Sequence, residues 1–233
     1  MLWCEYQTLE VYLLTNRRKL LQFSLPSNKL LSLLEHTKYL LSRVYQLSSV
    51  SMLTSINTLS MALVSNKLLR HPEFDIQVTV VSYLGEVFRI MAPDPPFCDE
   101  IMQDTFPLII SSFAYLTSTS INLYATKVRI LDTMANAKYC LIMLDLNCER
   151  TIIDMFQHFL VALKGNRLGN VFTSIKTIMN FTLEESDNLS LDLITLLLNS
   201  VQNKHKDVSP IAFSVVDRLF EKCVNTIKPC HGL

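Results

Sequence analysis

Glycine is nearly absent from this chain, with four residues in 233. Phosphate-cradling loops and two-residue hairpins both depend on glycine, so neither has material here. The six cysteines, at positions 4, 98, 140, 148, 223 and 230, form no CxxC pair, which removes zinc ribbons and dithiol redox centres. GxxxxGKS/T, GxGxxG, GxSxG and HExxH are missing too. With them go the minimal parts of nucleotide, dinucleotide, acyl-transfer and zinc-protease sites. No charge of one sign prevails, since 21 basic residues face 21 acidic ones and the pI is ≈ 6.9. A global pull toward nucleic acid or anionic lipid is therefore excluded.

Two long runs carry no charge, Val44–Asn66 and Thr105–Thr126. Both are rich in Ser and Thr, and the second holds Pro107, so neither reads as the ~20-residue apolar span that a bilayer requires. Glu5 and Glu10 stand where an export signal needs its apolar stretch, and Arg17-Arg18-Lys19 follows that stretch instead of preceding it. A soluble intracellular protein is expected.

What the chain does have is apolar residues, 49% of the total, recurring at helical spacing nearly everywhere. Leu30, Leu34, Thr37, Leu41 and Val44 trace one stripe, with Ser27 after Pro26 expected as its N-cap. A second runs from Leu53 to Leu68, stopped at His71-Pro72. Ile76, Val80, Leu84, Val87 and Phe88 make a broad third, ended by Pro93-Asp94-Pro95-Pro96. Gly85 falls inside it, at a cost of about 1 kcal/mol relative to Ala. Phe106, Ile109 and Phe113 follow, with Pro107 expected to bend their helix. Ser120 is expected to cap the next, Gly165 to supply a left-handed stop, and Ser209-Pro210 to open the last.

The helices come in pairs whose first members start near Leu53, Phe97, Glu149 and Leu189, at intervals of 44, 52 and 40 residues. Paired helices at about 40–47 residues are the signature of HEAT or armadillo repeats. One hairpin cannot cover its own apolar face, and stacking on neighbours buries it. The expected fold is all-α, a HEAT/armadillo-like α-solenoid of about four hairpins behind an atypical N-terminal helical segment. Residues 1–26 form that leading segment, 27–230 the repeat array and 231–233 a tail.

Candidate chemistry is sparse. Cys223, Cys230 and His231 could ligate a metal, but a buried thiol and a chain end explain them more simply. Lys164-Gly165-Asn166-Arg167-Leu168-Gly169 lacks the preceding strand of a phosphate loop and reads as an inter-helix turn. His158 lies in a strong apolar stripe with no nucleophile nearby. Glu184-Glu185, and Asp99-Glu100 with Asp104, could hold a cation, although solvated helix ends are the far commoner explanation, because acids favour first turns. No catalytic, cofactor-binding or metal residues are expected, and no enzyme activity. Charge distribution is more informative. Residues 71–104 hold Arg89 against seven acids, Glu73, Asp75, Glu86, Asp94, Asp99, Glu100 and Asp104. Asp94, Asp99, Glu100 and Asp104 are the candidate partner-binding residues of this acidic shoulder. It argues against the basic stripe that duplex binding requires and suits a partner with basic residues, with a solvated face as the alternative.

Specific blocks carry a resemblance. Leu63-Val-Ser-Asn-Lys-Leu-Leu-Arg-His-Pro-Glu-Phe-Asp-Ile-Gln-Val78, continuing to Arg89-Ile-Met-Ala-Pro-Asp-Pro-Pro-Phe97, resembles the cohesin-associated sister chromatid cohesion family known as "precocious dissociation of sisters". Cys140-Leu-Ile-Met-Leu-Asp-Leu-Asn-Cys148 with Met155-Phe-Gln-His-Phe-Leu160 looks like its next block, and Glu184-Glu-Ser-Asp-Asn-Leu-Ser-Leu191 like a third. The blocks fall in order between Ser27 and Pro229 and are closest to plant members. The resemblance implies a non-catalytic, nuclear, chromatin-associated HEAT-repeat protein. By the same resemblance it binds the cohesin complex through its kleisin subunit, works with the cohesin-release factor, regulates sister chromatid cohesion and has ties to DNA repair. It implies no cofactor, no membrane and no sequence-specific nucleic acid binding. Family members are far longer, which implies a truncated amino-terminal portion without the Tudor-like module of plant members. A generic HEAT-type adaptor in transport or signalling is the alternative.

Overall fold

The computed structural model describes residues 2–21, 25–45, 49–92, 94–116, 121–165, 169–202 and 210–227. Among them every regular element is helical. In order these are α1 (Leu2–Leu21), α2 (Ser27–Leu41), α3 (Val50–Leu63), α4 (Asn66–Leu69), α5 (Phe74–Met91) and α6 (Asp99–Ser111). A 3-10 turn at Ser112–Tyr115 follows. Then come α7 (Ile121–Ala137), α8 (Tyr139–Asp145), α9 (Glu149–Gly165), α10 (Gly169–Glu185), α11 (Leu191–Gln202) and α12 (Pro210–Ile227).

Local chemistry sets most boundaries and corrects several expectations. Ser27 is the first helical residue of α2, not its cap. Pro26 holds that position without a side-chain bond, and the Ser27 hydroxyl donates instead to the Glu73 carboxylate. The second helix starts at Val50, not Leu53, because the Ser49 hydroxyl accepts from the Met52 N–H at 3.2 Å. It also stops at Leu63. The Ser65 carbonyl then accepts from the N–H groups of Leu68 and Leu69 and starts the single-turn α4. Ala92 ends α5 with ψ 141°, as a residue before proline must. α6 keeps its helical bonding past the exposed Pro107 to Ser111 and then tightens into the 3-10 turn. Lys138, at φ 54°, separates α7 from α8, and Asn147, at φ 53°, follows α8. Gly165 is the last helical residue of α9 and not a left-handed stop after it. Pro93, Ser120 and Ser209 lie outside the described residues, as do 166–168 and the tail with Cys230 and His231.

The chain gathers into two compact units. One holds α1 to α5, α6 as far as Ile109 and α7 as far as Thr133, and the other holds the remainder. In the first, α1 lies along α3 and α2 along α5. In the second, α9 lies along α11 and α10 along α12, with α8 against α9 and α10. First helices thus stack on first helices and second on second, the arrangement that covers apolar stripes in helical repeats.

α5 is the axis of the first unit. Thirteen of its 18 residues are buried, so it has no solvent face over most of its length. Its Phe88 ring meets Phe97 edge-on at 6.2 Å and Phe106 at 6.3 Å. The second unit centres on Met155, Phe156 and Phe159 of α9, all fully buried, with Phe113 at 5.7 Å from Phe159 between ring centroids.

Candidate partner-binding surface

The four acids of the expected shoulder are all exposed. Asp99 and Glu100 occupy the first turn of α6, where the unbonded N–H groups and the helix dipole favour negative charge. Asp104 follows one turn later, on the same side as Glu100 by helical spacing, and Asp94 sits on the connection from α5. The Glu100 carboxyl is held below the usual carboxylate range by its own backbone N–H first and by the Cys98 side chain second. Asp104 borders a small cleft with Arg70, floored by Val64, Leu69 and Ile101.

The seven-acid tally does not survive intact as a surface. Glu86 is 5% exposed, and its carboxylate accepts from Arg89 Nε at 2.9 Å and from an Arg129 guanidinium nitrogen. Arg89 also donates to the Leu41 carbonyl at 2.9 Å. One buried carboxylate therefore ties α2, α5 and α7 together. Lys38 stands near enough to feel it. Burial pushes the lysine below its ordinary range, Glu35 opposes this, Arg129 reinforces it and Glu86 opposes it. Sequence reading missed this lock, although an acid and a base three residues apart within an apolar stripe were its signal. Lys127 of α7 is likewise buried, its ammonium 5.3 Å from the centre of the Phe74 ring, and burial pushes its pKa down.

The remaining candidates resolve simply. Glu184 pairs with Arg218 of α12, while Glu185 faces a separate cleft in the second unit. Among the described residues no group of three or more His, Cys, Asp or Glu side chains is placed to hold a metal ion, and no helix is long and apolar enough to cross a membrane. His158 is half-buried, and desolvation, opposed by Asp154, lowers its pKa.

Helical hairpins stacked in this order define a HEAT/armadillo-like α-solenoid fold. A chain in the solved structure of the Pds5–Scc1 complex has the same fold, with a TM-score of 0.73 and 22% identity over 82% of this chain and 30% of that one. The family model described as "Sister chromatid cohesion protein PDS5 protein" matches residues 28–230, so the chain belongs to the PDS5 sister chromatid cohesion family. Among its curated relatives, Arabidopsis thaliana PDS5 homolog C is 36% identical over 86% of this chain and 23% of its own length. Arabidopsis thaliana homolog E is 38% identical over 86% and 20%. The Saccharomyces cerevisiae protein is 24% identical over 70% and 13%. The chain thus spans a quarter or less of each relative's length.

Proposed function

We propose that this chain acts as a scaffold on the cohesin complex and regulates sister chromatid cohesion in the nucleus. The carrying observation is the family match over residues 28–230, which takes in α2 to α12. The kleisin subunit is its partner, with the cohesin-release factor acting beside it, and this cohesin dependence is the link to DNA repair. The chain contributes no chemistry of its own. Its work is to present helix ends and connections to another chain, with the exposed acids Asp94, Asp99, Glu100 and Asp104 receiving a basic segment. Support for that role lies in their exposure on and just before the first turns of α6, with no ion pair to any of them among the described residues.

Co-precipitation of the tagged chain from nuclear extract should recover kleisin and the other cohesin subunits. Recovery of none of them would overturn the proposal. In the same assay Glu100→Lys with Asp104→Lys should weaken recovery of a basic partner while leaving helicity unchanged. Undiminished recovery would remove the shoulder from the interface.

A further inference from the structure

The second unit holds a cleft of about 540 Å³, within the size range of specific binding sites. It opens between two connections, one from α8 to α9 and the other from α10 to α11. Four carboxylates line it, those of Asp145, Glu149, Glu185 and Asp187, with no lysine or arginine among the described residues of its walls. All four residues are exposed, and none forms an ion pair among the described residues. Leu144, Ile153 and Leu189, each half-buried, give the lining an apolar component.

The two connections are built rather than loose. Asn147 takes a left-handed conformation, and the Cys148 N–H closes on the Met143 carbonyl at 2.9 Å. Across the cleft the Ser186 hydroxyl donates to the Asn188 carbonyl at 3.0 Å, and the Ser190 hydroxyl accepts from the Leu193 N–H at 3.3 Å. The C-termini of α8 and α10 add negative potential, and the N-termini of α9 and α11 oppose it. The four carboxylates therefore set the sign of the cleft.

We propose that this cleft binds an extended peptide segment carrying lysine or arginine beside an apolar residue. A point cation fits less well, because these carboxylates are not among any group placed to hold a metal ion. They share one cleft with the apolar side chains of Leu144, Ile153 and Leu189. That pattern matches spaced cationic side chains flanking an apolar one, and charge complementarity would select it over acidic sequences. The inference does not depend on the role in cohesion and concerns a surface separate from the α6 shoulder.

Fluorescence anisotropy of a labelled peptide alternating lysine and leucine, added to the 233-residue chain, tests it. Binding should exceed that of the glutamate–leucine counterpart and weaken as salt rises. Asp145→Asn with Asp187→Asn should reduce affinity by about tenfold with the thermal melt unchanged. Leu189→Asn should also reduce it. The control pair Asp217→Asn with Glu221→Gln, exposed acids of α12 outside the cleft lining, should leave it alone. Equal losses from both acidic pairs would reveal general attraction to acidic surface and overturn the proposal. So would absence of binding, undiminished binding in Asp145→Asn/Asp187→Asn, or calcium ions alone displacing the peptide at stoichiometric concentration.

Discussion

The two units stack their helices in the same order but hold them by different means. The first wraps neighbours around α5, a helix buried on nearly all sides, and this leaves Glu86 inside, where cations from α5 and α7 satisfy it. The second packs helices with one apolar stripe each. α9 buries Ile152, Met155, Phe156, Phe159 and Leu163 yet leaves Val161 55% exposed, and an ion pair between α10 and α12, Glu184 with Arg218, stands near half exposure. A central helix allows a buried polar lock, whereas a one-stripe helix puts its charges in water.

The hardest blow to either unit is a charge in its core. Leu84→Asp in α5 and Phe156→Asp in α9, both at fully buried positions, should each cost upward of about 4 kcal/mol. Amide exchange should rise through α2, α3 and α5 for the first and through α9, α10 and α11 for the second. Denaturation followed by circular dichroism, with exchange mapped by mass spectrometry, checks both, and local fraying alone would refute the stacking argument.

Next comes the contrast between the two ion pairs. Glu86→Gln should lose about 1–3 kcal/mol, because it removes charge-assisted bonds from a buried carboxylate. Glu184→Gln should lose less than about 1 kcal/mol, as exposed pairs do. Urea midpoints for the two variants decide it, and equal losses would erase the distinction between the units.

Gly85→Ala sharpens the same comparison in the opposite direction. A Cβ at this position of α5 would meet nothing within 4 Å, so Ala should stabilise the helix by about 1 kcal/mol. A lower melting temperature would show the room to be illusory.

The smallest effect belongs to His158. Its pKa in the folded state lies below that in the unfolded chain, chiefly through desolvation. Its contribution to stability is therefore present above pH ~6.5 and is lost as pH falls through the folded value. His158→Gln should flatten the decline in melting temperature between about pH 7 and 5.

Much of this architecture could be read from residue order. The stripes beginning near Leu53, Phe97, Glu149 and Leu189 match α3, α6, α9 and α11 to within four residues, because a period of 3.6 is a local property. The single-turn α4 was hidden, since Leu68 continued the stripe of α3 across a break made by backbone bonds to Ser65. The exposed acids of α6 were legible as a run of like charge. Glu86 was counted among them because net charge carries no information on depth.

By itself, then, the sequence determined a helical repeat protein without catalytic motifs and its membership of a cohesion family, because periodicity and ordered blocks survive without coordinates. Only tertiary structure decided that Glu86 is buried between Arg89 and Arg129 while Asp145, Glu149, Glu185 and Asp187 ring one cleft. Those neighbours lie up to 43 residues apart in the chain, and packing, not spacing, brings them together.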